Sequence, residues 1–223
     1  MEKHFRLEEC WYKEICSREE PCSSCIKYLE MKYLMEHCNL PKIKQQPQRL
    51  SAPTCDLEAY ERLAEIKDNI VEFVQTGRNL YIASDYTGNG KTSWAIKLMH
   101  KYFEEIWDGN GLRPRALFIN IPQFLLRCKD FGNKDPQFDE MKRLLHTIDL
   151  VIWDDIASTA MSAFDYSQIM SYIDVRTLSE LSNIYTGNLT DKQQVETKAG
   201  TRLASRLFSG GTEVVIFKSR DIR

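Results

Sequence analysis

The chain has 223 residues, of which 43% are hydrophobic, enough for one core of ordinary size and a small appendage. Its formal net charge of -2 gives no overall electrostatic drive toward nucleic acid, so any such contact would rest on a local patch. No apolar run approaches membrane-spanning length, and the opening residues MEKHFRLEEC are too charged for a signal peptide; the expected compartment is the cytoplasm, with no membrane partner.

Cysteines crowd at the N-terminal end: Cys10, Cys16, Cys22, Cys25, Cys38 and Cys55, with only Cys128 elsewhere. In a reducing compartment such thiols serve as metal ligands or core residues more often than as disulfides. Cys22-Ser23-Ser24-Cys25 has the two-residue gap that lets both thiolates bind one tetrahedral zinc. Cys10, Cys16, Cys22 and Cys25 are therefore the candidate zinc ligands, with Cys38, His37 or His4 as alternatives to Cys10 and chance cysteines in a helical hairpin as the plain alternative. Four ligands leave no open position, so the expected role is structural: a segment this short buries little, and a metal would supply stability. Ile26 to Met35 reads as a helix. Residues 39–58 hold Pro41, Pro47 and Pro53 among polar residues, which marks a linker. The expected division is 1–40 for the cysteine-bearing unit, 41–58 for the linker and 59–223 for the main domain.

Apolar spacing from Leu57 to Val74 is helical and stops before Gly77. Leu80 begins a short apolar run that reads as a buried strand, and Thr87-Gly88-Asn89-Gly90-Lys91-Thr92 follows as the end of a phosphate-binding loop. The glycines allow a tight turn with N–H groups pointing inward, Lys91 would reach the β- and γ-phosphates, and the Thr92 hydroxyl would ligate Mg²⁺. A helix must start here, since its N-terminus adds partial positive charge at the same spot, and Ser93 lies in its first turn. The motif's first glycine is replaced by Asp85, and an ordinary polar turn is the competing reading. Ala116 to Ile121 is a second buried strand closed by Pro122, followed by helices at Gln123 to Cys128 and at Met141 to His146. Leu150 to Asp155 is an apolar strand ending in two acids, which a parallel sheet delivers to its ligand-binding edge. Asp154 would hold Mg²⁺ and Asp155 would polarise an attacking water. Asn183 to Thr186 is the next strand; Asn188 beyond it either orients a water or touches the γ-phosphate, or is a plain turn asparagine. Arg202 and Arg206 share one face of a short helix at 201–208, either as a solvated basic face or with an arginine finger for a neighbouring subunit. Glu213 to Phe217 is the last strand. Strands alternating with helices predict a parallel sheet covered on both faces.

GNGKTSW, LVIWDD, NIYTGN, GTRLASRLF and SRDIR in this order resemble the DnaC/DnaI-type replicative helicase loaders of the AAA+ superfamily, above all those of phages and prophages of Gram-positive bacteria. The resemblance covers nearly the whole chain. It implies an α/β AAA+ P-loop core with a five-stranded parallel sheet, no helical lid, and a small, mainly helical zinc-binding domain that grips the helicase. It further implies Gly88 to Ser93 on nucleotide, Asp154 and Asp155 as the Walker B pair, Asn188 as sensor 1, Arg206 as an arginine finger in trans and Arg223 as sensor 2, with Ser219 in place of that motif's glycine. ATP, Mg²⁺ and Zn²⁺ would be bound, and subunits would assemble in a spiral that places a hexameric helicase on single-stranded DNA. By analogy, Phe124, Arg127 and Lys129 would meet the DNA. Competing readings are a transposition-helper ATPase, which offers no reason for the cysteines, and a catalytically weak protein that blocks a host helicase or loader. A small-molecule P-loop kinase ranks last.

Overall fold

The computed structural model describes residue 10 and residues 25–45, 50–106, 111–130, 135–158, 161–208 and 211–220. Its centre is a parallel sheet of β1 (Asn79–Ala83), β2 (Ala116–Asn120), β3 (Leu150–Ile156), β4 (Ser182–Gly187) and β5 (Thr212–Ile216), in the order β2-β3-β4-β1-β5. Successive side chains of a strand face opposite ways, and the strands are apolar on both sides. Leu80, Ile82, Phe118, Ile152 and Ile184 join one hydrophobic cluster; Tyr81, Leu117, Val151, Trp153 and Tyr185 join the other. This explains why the strands read as continuous apolar runs rather than alternating ones.

The first cluster is covered by α1 (Ile26–His37), α2 (Leu57–Asp68), α3 (Ile70–Gln75) and α4 (Lys91–Glu105). The second is covered by α5 (Ile121–Lys129), α6 (Pro136–Leu144), α7 (Ala163–Leu178), α8 (Lys192–Ala199) and α9 (Thr201–Phe208). The expected α/β sandwich is present. Among the described residues no helix is long and apolar enough to cross a membrane.

Several boundaries differ from the sequence reading for local reasons. The single helical pattern at 57–74 is two helices, because the Asn69 side chain donates to the Glu65 carbonyl at 2.9 Å and its backbone leaves the helical region. Pro122 opens α5 instead of closing β2: it sits in the first helical turn, where its missing N–H costs nothing, and Asn120 caps the Gln123 N–H. Helix α7 was not assigned from the sequence; it starts at a capping box in which Ser162 and Asp165 each accept from the other's backbone N–H.

Helix α1 packs on the sheet's first face through Met31, Leu34 and Met35, spaced one turn apart, and Cys38 and Leu40 continue into the same core. The chain then runs along the outer edge of β2, where Phe118 donates its N–H to the Cys38 carbonyl and accepts from Asn39 Nδ2, both at 2.8 Å.

Where β3 and β4 begin, Arg176 is fully buried. Its guanidinium donates to the carbonyls of Leu145, Ile148, Asp149 and Ser182 and to Asn183 Oδ1, tying the starts of β3 and β4 to the end of the α6 segment.

Candidate functional site

All five strands end at the same edge, and the register sets Ala83 beside Gly187 and Ile216, and Asn120 beside Asp154. In open α/β sheets ligands bind at this edge. Here β1 runs into the loop 84–90, and α4 begins at Lys91. Gly88 and Gly90 have φ of 74° and 94°, the left-handed region where a Cβ is strained, so the loop turns back on itself only with glycine there. A cleft of about 1020 Å³ opens over it. Gly88, Asn89, Gly90, Lys91, Thr92, Ser93, Asp154, Asp155 and Asn188 all line this cleft, with Thr87, Asn120, Ser158, Lys44 and the stretch Leu50 to Pro53. Residues 100 positions apart in sequence thus meet in one space.

Within the cleft Lys91 is 6% exposed, and its ammonium donates to the Tyr86 carbonyl at 2.6 Å and to Asn89 Oδ1 at 3.1 Å. Burial pushes its pKa down, while Asp155, Asp154 and Asp85 pull it back up. Thr92 Oγ1 donates to Asp154 Oδ1 at 2.7 Å. Thr186 Oγ1 donates to the same oxygen at 2.8 Å, and Asn120 Nδ2 lies 3.4 Å from Oδ2. Asp154 is 2% exposed and so is held from three elements. Next to it Asp155 adopts φ 62° where the β3–β4 register shifts between Trp153 and Ile156, and its N–H donates to Thr186 Oγ1 at 3.1 Å. Burial, then the Asp154 charge, pushes the Asp155 pKa up; Lys91 and Lys44 oppose this. Asp85, which stands in the motif's first glycine position, accepts from Thr190 Oγ1 at 2.8 Å and so faces the loop after β4.

Other expected site residues lie elsewhere. Arg206 is outside the cleft, on α9. Its Nε and Nη2 donate to Asp174 Oδ1 at 3.3 and 3.1 Å, and Arg202 reaches Asp174 Oδ2 at 2.8 Å. Phe124 is buried, while Arg127 bonds Asp135 and Lys129 bonds Asp165. Arg223, Cys16 and Cys22 lie outside the described residues, and so does His4. Cys10 and Cys25 are in no disulfide among the described residues, where no group of three or more His, Cys, Asp or Glu could hold a metal. Cys38, one alternative ligand, is fully buried with its thiol donating to the Met35 carbonyl, and burial pushes its pKa to about 12. It is a core residue. His37, another alternative, stacks on Tyr33 at 4.1 Å between ring centroids.

Sequence reasoning missed Thr186, Asn120 and the cleft-lining residues of 44–53. A Thr one residue before the strand-end Gly187 carried a usable signal; the linker residues carried none, because their position depends on the packing of α1.

The fold has close counterparts among solved structures. The DnaC helicase loader superposes with a TM-score of 0.62 at 17% identity, covering 82% of this chain and 98% of that one. The chain shares the fold of that loader. DnaI gives a TM-score of 0.62 at 16% identity, covering 82% of this chain and 94% of that one. The replication initiator DnaA, solved with AMPPCP and single-stranded DNA, gives 0.58 at 16% identity, with 84% of this chain and 50% of that one covered. No protein-family model matches the sequence, and no curated protein matches it.

Proposed function

We propose that the chain is an ATP-dependent helicase loader: it binds a replicative hexameric DNA helicase and helps place it on single-stranded DNA at the initiation of replication. The observation that carries this reading is the convergence of Lys91, Thr92, Asp154 and Asp155 in one cleft of a loader-type fold. ATP would lie with its phosphates on the loop N–H groups and the Lys91 ammonium. The hydroxyl of Thr92 and the carboxylate of Asp154, 2.7 Å apart, are the hard oxygen donors that Mg²⁺ takes. Bound there, the ion would neutralise charge on the phosphate oxygens. Asp155 would accept a hydrogen bond from the attacking water, Asn188 would help orient it, and the products would be ADP and phosphate.

Arg206 would act in trans, completing the site of the next subunit, which fits its place on α9 away from its own cleft. Arg223 would face the phosphates from the chain's last residues. Residues 1–40 would grip the helicase, with Cys10, Cys16, Cys22 and Cys25 holding a structural zinc. Zinc content of the purified protein, compared with Cys22→Ser, checks that last point.

The reading is tested by ATP hydrolysis with and without single-stranded DNA, for wild type and Arg206→Ala. DNA-stimulated hydrolysis that Arg206→Ala abolishes supports an assembled loader. ATP binding without hydrolysis under any condition favours the protein that blocks a host helicase or loader, a reading that Asp85 in the phosphate loop also suits. No ATP binding overturns the nucleotide site itself.

A further inference from the structure

One chain of contacts reaches the cleft from Asp56, a residue outside every motif. Asp56 ends a short 3₁₀ turn (Thr54–Asp56) that follows the cleft-lining stretch Leu50 to Pro53, and it is 1% exposed. Its Oδ1 accepts from the Lys218 N–H at 2.6 Å, and its Oδ2 accepts from the Ser219 N–H at 3.2 Å. A buried carboxylate so placed fixes the chain leaving β5. The Ser219 carbonyl in turn accepts from Asn89 Nδ2 at 3.1 Å, and Ser84 Oγ accepts from the same amide nitrogen. With both amide hydrogens so engaged, Asn89 Oδ1 is left as an acceptor for the Lys91 ammonium at 3.1 Å. The reversed amide would set NH₂ against the ammonium and oxygen against the Ser219 carbonyl, so the network itself dictates the orientation.

We infer that Asp56, acting through the Ser219 backbone and Asn89, is a positioning residue for Lys91, and that the segment bearing Asp56 thereby tunes affinity for a nucleoside triphosphate. The inference rests on the nucleotide reading of the cleft. Lys91 must redirect its N–H donors from loop acceptors to phosphate oxygens; Asn89 sets the acceptor it leaves, and Asp56 sets where Asn89 stands. The contacts bridge 163 positions from Asp56 to Ser219 and 130 from Ser219 to Asn89, so no local motif encodes them. Ser219 contributes through its backbone, which any residue supplies; its side-chain oxygen is buried without a hydrogen-bond partner among the described residues.

The test is a double-mutant cycle on the affinity of the full chain for mant-ATP, a fluorescent ATP analogue. Asp56→Asn keeps one acceptor for the Lys218 N–H and turns an NH₂ toward the Ser219 N–H; Asn89→Ala cuts the same link at its far end. Each single variant is expected to shift affinity by about tenfold, the worth of one hydrogen bond to a charged group. The double variant is expected to stand within about twofold to threefold of the more affected single, the signature of coupled residues. Melting temperatures without nucleotide report folding separately. Multiplicative effects, or an affinity unchanged in Asp56→Asn, overturn the relay while leaving wild-type binding intact. Should Asp56→Asn not fold, unchanged affinity in Asn89→Ala overturns it equally. Failure of wild type to bind mant-ATP removes the nucleotide reading and the relay with it.

Discussion

Thr186 offers the sharpest check on how the cleft works. Its hydroxyl donates to Asp154 Oδ1 at 2.8 Å and accepts from the Asp155 N–H at 3.1 Å, so one oxygen holds the Asp154 carboxylate and the Asp155 backbone. Thr186→Val keeps the volume and the β-branched shape while deleting the hydroxyl. The bond to Asp154 is charge-assisted and buried, a class that contributes about 1.5–3 kcal/mol. If that contribution is needed to hold the acids in the transition state, kcat for ATP falls by about 10- to 100-fold, since each 1.4 kcal/mol or so is a factor of ten. The phosphate contacts proposed for Lys91 and the loop are untouched, so the Kd for ATP is expected to change by less than about threefold. The Asp155 N–H also loses its acceptor next to a left-handed φ of 62°. A loss of about 1.5–3 kcal/mol in a domain of this size lowers Tm by about 3–12 °C. The assay is steady-state hydrolysis beside a thermal melt and a direct binding titration. Thr186→Ser restores the hydroxyl and is expected to recover most of kcat. A Thr186→Val protein that hydrolyses ATP at the wild-type rate, or a Thr186→Ser protein as slow as Thr186→Val, refutes the reasoning.

Acid sensitivity should trace in part to His100, which is 6% exposed on α4, with Nε2 lacking a partner among the described residues. Burial lowers its pKa from 6.5 to about 4. The unfolded chain therefore takes up a proton that the folded one refuses, and stability drains away as pH falls from 6.5 toward 4, by about 3 kcal/mol for this one group. His100→Leu is expected to flatten the drop in Tm across that window by roughly 6–12 °C; a pH profile identical to wild type would show that another group governs it. Arg176→Met removes the guanidinium that donates to four carbonyls and Asn183, and leaves those acceptors buried. The expected cost is about 3–5 kcal/mol, or roughly 6–20 °C of Tm, and a change under about 2 °C would contradict the role given to it.

The parts of the site that were legible in the sequence are those where one short segment carries both position and chemistry. The loop glycines, Lys91 and Thr92 are adjacent, as consecutive N–H groups meeting the proposed phosphate oxygens would require, and Asp154 follows four apolar residues because a buried strand carries it to the cleft edge. Thr186 and Asn120 were not legible in the same way: their role comes from strand register, which sets Asn120 beside Asp154. Asp56 is still less visible, since its partners are backbone N–H groups that any residue offers. Cys38 shows the converse error. Proximity to other cysteines made it a possible ligand, yet its place after Met31, Leu34 and Met35 continues the buried stripe of α1, and that spacing puts it in the core. Helix α7 was overlooked because its caps, not its apolar period, mark where it starts.

The contact between residues 38–39 and Phe118 has a consequence for how copies of this chain can meet. A bare outer strand invites another chain to extend the sheet, the usual route to strand-swapped pairs and fibres. Here the middle of β2 has its outward N–H and carbonyl already spoken for by the Cys38 carbonyl and the Asn39 amide. The polypeptide's own early segment plugs that border. Were copies of this chain to meet on this side, the middle of that border would offer them side chains and not free backbone, a contact that can part without unravelling the sheet beneath it.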